Sequence, residues 1–165
     1  MRGLKTRLKV VFILVVLSLT FYSDFSFSGT VQFATDFSLH DTEDNLIRLN
    51  SYKNKQAVLL FFWTTWCPYC RAQIETLNAQ YAELIKDDIV LLGINVGESI
   101  YKVKRFLRDH SVLYPVLLDE DTYVAYLYGI IGVPTYILID KNGRILFRDN
   151  YLPELEELRN LNLSN

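Results

Sequence analysis

Cys67 and Cys70 are the only cysteines in the chain, and they stand three positions apart at the junction of two apolar patterns. Before them, residues 57–63 form an unbroken apolar run, as expected of a strand buried on both faces in a parallel sheet. After them, residues 73–86 carry apolar side chains at helical spacing, with Ile74, Leu77, Tyr81, Leu84 and Ile85 on one stripe expected to face that sheet. Pro68 suits a first helical turn, where its missing N–H has no partner to lose, so Cys67 is expected at or just before the helix N-terminus. Unpaired amides and the positive end of the helix dipole favour a thiolate there. Cys67 is therefore the expected attacking sulfur, and Cys70, one turn inside, the thiol that resolves a mixed disulfide.

Two other uses of a cysteine pair fit less well. A zinc site needs about four ligands, and beyond these thiols the chain offers only His40 and His110, both far away in sequence. A structural staple closing so short a loop would constrain little of the unfolded chain. Thiol-disulfide exchange is the chemistry the pair favours, with no metal and no cofactor beyond the Cys67–Cys70 disulfide itself.

With 165 residues, half of them hydrophobic, the chain has material for one domain with a substantial core. Its 17 basic and 19 acidic residues leave a net charge of -2, which gives no basic field for nucleic acid. The many Tyr and Phe residues fall in periodic apolar segments, where core packing accounts for them better than base stacking.

The N-terminus reads as a membrane address over residues 1–28. Arg2, Lys5, Arg7 and Lys9 precede an uncharged apolar run at residues 10–22. That run is shorter than the roughly 20 residues a spanning helix wants, and Ser26-Phe27-Ser28 has the small-x-small form of a cleavage site, both favouring a signal peptide. Phe25 and Phe27 extend the apolar region as an uncleaved anchor would. In either case the basic end stays cytoplasmic and the domain crosses the membrane, into a compartment where disulfides persist. The absence of an N-terminal cysteine excludes a lipid-modified anchor.

Residues 29–36 read as a linker and 37–165 as the folded domain. A short hairpin is expected from 37–39 and 46–49, with a polar turn at 41–45. The buried strand, the helix ending at Asp87-Asp88 and a second apolar strand at 89–96 make a βαβ unit and hence a parallel sheet. Further on, the pattern predicts a helix over 100–109, an extended piece at 115–119, a helix over 122–128 ending at Gly129, and a strand leading to Asp140. A hairpin turn at 141–143, a return strand over 144–148 and a closing helix over 153–161 complete the chain.

Trp66-Cys67-Pro68-Tyr69-Cys70 after an apolar strand, followed later by Gly132-Val133-Pro134-Thr135 at the opening of another, resembles the thioredoxin superfamily. More narrowly, the chain is similar to TlpA-like thiol-disulfide oxidoreductases of bacterial envelopes. The similarity covers about residues 37–147 and includes Asn95-Val96-Gly97-Glu98-Ser99, Tyr114-Pro115-Val116-Leu117-Leu118-Asp119 and Ile139-Asp140-Lys141-Asn142-Gly143. The resemblance implies an α/β, thioredoxin-like fold: a central mixed sheet flanked by helices, with an N-terminal hairpin and a central insertion over 100–118. It also implies that Pro134 is a cis-proline beside the cysteines, that Val133 binds substrate backbone, and that Trp66 lies at the rim while Pro68 and Tyr69 tune the redox poise.

Three positions depart from the pattern. Phe61, six residues before Cys67, replaces the buried Asp with which cytosolic thioredoxins handle the second cysteine's proton. Gln73 stands where TlpA-like proteins commonly carry Glu, and Glu75 where many carry a helix-kinking Pro. Pro68-Tyr69 is the dipeptide usual in glutaredoxins.

The resulting expectation is an extracytoplasmic reductant of disulfide-bearing client proteins, an apocytochrome c among them, supplied with electrons by a membrane thiol-transfer protein of the DsbD/CcdA type. A dithiol oxidant uses the same residues, since potentials within this chemistry span about -270 to -120 mV. A peroxidase is a weaker alternative, because Thr64-x-x-Cys67 matches a peroxidatic motif but Leu60 stands where that motif wants Pro. A membrane-tethered binding module would have no use for the paired thiols. His40 and His110 are expected at the surface, and the positive charges over 102–108 on a solvated helix face.

Overall fold

The structure is a computed structural model that describes residues 31–163, so the expected signal peptide or anchor at 1–28 lies outside the described residues. Among the described residues no helix is long and apolar enough to cross a membrane.

A five-stranded sheet in the order β5-β4-β3-β6-β7 forms the centre, with β3 Ala57–Trp63, β4 Ile89–Val96, β5 Val116–Asp119, β6 Thr135–Ile139 and β7 Ile145–Asp149. β3, β4 and β5 run parallel, while β6 and β7 join antiparallel, which makes the sheet mixed as expected. A separate two-stranded hairpin, β1 Ser38–His40 and β2 Leu46–Arg48, precedes it. Among the described residues four α-helices, α1 Pro68–Lys86, α2 Ile100–Asp109, α3 Tyr123–Leu127 and α4 Leu155–Leu163, and a 3-10 turn at Leu49–Tyr52 complete the fold.

The central strand shows why its sequence is apolar throughout. Side chains alternate across a sheet, so a strand covered on both faces has no solvent side. Leu59, Phe61 and Trp63 of β3 enter one core with Ile74, Leu77 and Leu84 of α1, Val103 of α2 and Leu158 of α4. Val58, Leu60 and Phe62 enter the other, with Phe37 and Leu49 at the two ends of the hairpin, and Val124 and Tyr128 from α3 and its end. All seven residues of β3 are buried.

The differences from expectation are local. Ile85 is 53% exposed although the helical stripe places it inward. Leu84, one residue earlier, already takes the inward direction, and a 3.6-residue helix turns its neighbour about 100° away. Residues 32–36 are bonded into the domain rather than forming a free linker. The Ile145 amide donates to Gln32 O at 2.8 Å, Ala34 donates to Gly143 O at 2.8 Å, and the Tyr128 hydroxyl donates to Thr35 O at 2.7 Å. The outer strand β7 leaves backbone groups unpaired, and this segment satisfies some of them.

Candidate active site

The end of β3 delivers the chain into Thr64-Thr65-Trp66 and then into α1, whose first residue is Pro68. Cys67 is the N-cap, with extended backbone (φ -78, ψ 114), and its sulfur accepts the Cys70 amide at 3.2 Å. The sulfur stands here where a capping oxygen usually does, and it satisfies one of the free amides of the first turn. Both thiols are unbridged, with Cys67 4% exposed and Cys70 wholly buried. Burial and the adjoining Cys67 thiol push the Cys70 thiol up to about 12. Two chemically identical side chains thus differ in setting: Cys67 caps the helix, and Cys70 is buried one turn behind it.

Trp66 and Tyr69, on either side of Cys67-Pro68, are 64% and 78% exposed. The peptide bond between Val133 and Pro134 is cis, and the Cys67 thiol lies 3.7 Å from the Val133 carbonyl oxygen. The turn after β4 and the strand opening of β6 are therefore brought to the same end of the sheet as the cysteines. His40 and His110 are exposed. The His110 ring stacks on Phe106, with centroids 4.0 Å apart, in keeping with a surface position.

Two supporting side chains carry no assigned role in the sequence analysis above. Glu98, only 5% exposed, accepts from the Thr65 amide (2.6 Å), the Thr65 hydroxyl (2.8 Å) and Asn95 Nδ2 (2.9 Å). It also pairs with Lys102 Nζ at 2.6 Å. Lys102, exposed on the helix face as expected, is thus also the counter-ion of a buried carboxylate. Burial acts to raise the Glu98 carboxyl, but the bonds from Lys102, Thr65 and Asn95 outweigh it and hold it below its ordinary value. On the opposite side, Asn150 Nδ2 donates to Pro134 O at 2.6 Å and to Thr135 Oγ1 at 2.9 Å, fixing the proline loop from the end of β7. The Asn95-x-x-Glu98 spacing was a usable signal for the first. Nothing local marks the second.

The AhpC/TSA family matches residues 31–148, most of the chain and both halves of this site. The chain belongs to the AhpC/TSA family. Among its relatives in the thioredoxin superfamily is the thiol-disulfide oxidoreductase ResA of Geobacillus thermodenitrificans, 34% identical over 137 residues, covering 81% of this chain and 78% of the relative. The protein of the same name from Bacillus subtilis is 34% identical over 113 residues, covering 68% of this chain and 63% of the relative. A crystal structure titled a putative thiol:disulfide interchange protein DsbE, from Chlorobium tepidum, superposes with a TM-score of 0.72 at 25% identity, covering 82% of this chain and 96% of that one. Within this AhpC/TSA domain, the arrangement of the two thiols, the helix terminus and the cis-proline is that of a thiol-disulfide oxidoreductase.

Proposed function

We propose that the chain reduces disulfides in client proteins on the outer side of a bacterial cytoplasmic membrane, through the Cys67/Cys70 dithiol. The observation that carries this reading is the asymmetry of the pair: Cys67 caps the helix beside the Val133 carbonyl, and Cys70 is buried one turn behind with its amide on the Cys67 sulfur. The Cys67 thiolate attacks one sulfur of a client disulfide, and the other leaves as a thiolate that takes a proton. Cys70 then attacks the Cys67 sulfur, closing the Cys67–Cys70 disulfide and releasing the second client thiol. Two electrons pass to the client, and a membrane thiol-transfer protein of the DsbD/CcdA type restores the dithiol.

Val133 and Pro134 supply the backbone edge against which an extended client segment lies, and Trp66, Pro68 and Tyr69 form its apolar margin. Apocytochrome c, kept reduced for haem attachment, is the client class that the family resemblance suggests. Residues 1–28 carry the domain across the membrane and either hold it there or are cleaved.

The direction is tested by equilibrating a domain starting near Gly29 against glutathione buffers. A potential near about -270 mV supports a reductant, and one near about -120 mV overturns it in favour of a dithiol oxidant. The mechanism is tested in cells with Cys70→Ser, expected to accumulate client adducts on Cys67; absence of adducts counts against it. Peroxide consumption that survives removal of Cys70 would establish the peroxidase alternative instead.

A further inference from the structure

Helix α2 turns one face of unmatched positive charge to solvent. Tyr101, Lys104, Arg105 and Arg108 recur at spacings of three and four, which puts them on one side of a 3.6-residue helix. All are exposed, Tyr101 at 83%. Val103, Phe106 and Leu107, on the opposite side, pack into the core. Lys102 is matched by Glu98, but Lys104, Arg105 and Arg108 have no ion pair among the described residues. Asp109 is the only acid in the helix.

Within the domain this charge has a cost and little return. Like charges at helical spacing repel one another, and the helix dipole favours a cation in the last turn, which accounts for Arg108 but not for Lys104 or Arg105. The chain as a whole is slightly acidic, with a net charge of -2, so the face is a local feature. Its place is also particular. The proline loop leads into β6 on one side of β3, and α2 follows β4 on the other, so Cys67, at the end of β3, stands between them. Glu98, just before α2, holds Thr65 in the loop that leads to Cys67. In the first turn of α1 the exposed charge, Arg71, is again positive, with Glu75 one turn further on, and Glu120 accepts the Ile100 amide at the start of α2.

We propose that the Tyr101, Lys104, Arg105 and Arg108 face of α2 docks an acidic segment flanking the disulfide of a client protein. This rests on the dithiol reading above and extends it, since a client that lies along Val133 and crosses Cys67 next meets α2. At 1.5 Å per residue the face is about 10 Å long, which about three residues of extended chain would span. A membrane surface fits less well. Helices that lie on lipid insert an apolar face as well as presenting charge, and the apolar face of α2 is inside the domain.

The test uses two synthetic peptides, each with one internal disulfide, flanked on both sides by glutamates in one and by lysines in the other. Each is reacted with the reduced full chain in neutral detergent. At about 0.01 M salt, where charges act over about 30 Å, the glutamate peptide is expected to be reduced about tenfold faster. At about 1 M, where that reach is about 3 Å, the two rates should converge. Lys104→Gln/Arg105→Gln/Arg108→Gln is expected to lose the preference at low salt without a fall in thermal stability. Equal rates for the two peptides in the wild-type chain at low salt overturn the proposal, and that comparison needs no variant to fold. A preference that survives in the triple variant overturns it too. Binding to vesicles that requires phosphatidylglycerol beside phosphatidylcholine and is lost in the triple variant, together with equal peptide rates, assigns the face to a membrane surface instead. A wild-type chain that reduces neither peptide, nor the uncharged hydroxyethyl disulfide, would overturn the dithiol mechanism itself.

Discussion

The Glu98 carboxylate holds both the amide and the hydroxyl of Thr65, at 2.6 and 2.8 Å, two residues before Cys67. A buried charge on the turn after β4 thus fixes the loop that leads from β3 into α1. Its geometry matters because loop backbone without such a partner would leave donors unsatisfied.

Glu98→Ala orphans the Thr65 amide and Asn95 Nδ2 and strips Lys102 of its partner. A buried unmet donor costs about 1–3 kcal/mol, so a loss of about 2–4 kcal/mol is expected in urea unfolding. Glu98→Gln keeps an acceptor oxygen and is expected to lose about half as much.

The same group sets a pH dependence. The Glu98 carboxyl is lowered from its ordinary 4.5 in the folded protein, so the unfolded chain binds its proton first as pH falls. Its stabilisation is complete above pH 4.5 and declines as the pH drops through the lowered folded value. Urea midpoints measured from pH 7 downwards should therefore fall more steeply in the acid range for wild type than for Glu98→Gln.

Gly93→Ala places a Cβ 2.9 Å from Tyr114 Cε2 in the middle of β4. Tyr114 is a buried ring, not a free side-chain end, and cannot withdraw. Overpacking of this kind costs about 1–3 kcal/mol, read as a lower denaturation midpoint.

Asn150→Ala releases the Pro134 carbonyl and the Thr135 hydroxyl, both bound through Nδ2. Asn150 is exposed, so water replaces it and the stability loss stays near about 1 kcal/mol. The loop beside Cys67 is loosened, and KM for a protein client should rise about fivefold, the equivalent of roughly 1 kcal/mol, while the rate with a small disulfide is unchanged. Equal loss with both substrates would assign Asn150 to the chemistry rather than to client docking.

Much of this was legible locally. An apolar run that fills both faces of a sheet has one economical structure, and β3 and β4 were readable to the residue at Ala57–Trp63 and Ile89–Val96. Helix boundaries drifted by one or two residues where the end depends on a distant group. α3 begins at Tyr123 because the Asp119 carboxylate at the end of β5 accepts the Val124 and Ala125 amides at 3.0 and 2.8 Å. Ile85 shows the limit of periodicity, which gives a face but not its width.

The sequence by itself determined the order of the elements, the place of Cys67 at a helix N-terminus and the identity of the proline beside it. Each of these follows from neighbours in the chain: apolar period, a proline in the first turn, a matched motif. Only the tertiary structure decided which side chains support the thiols. Glu98 meets Thr65 across 33 positions and Asn150 meets Thr135 across 15, while Tyr136 comes to stack on Phe61 from a separate strand. Such contacts depend on sheet order and register, which no local pattern encodes, and they are formed only once β3 is enclosed between β4 and β6.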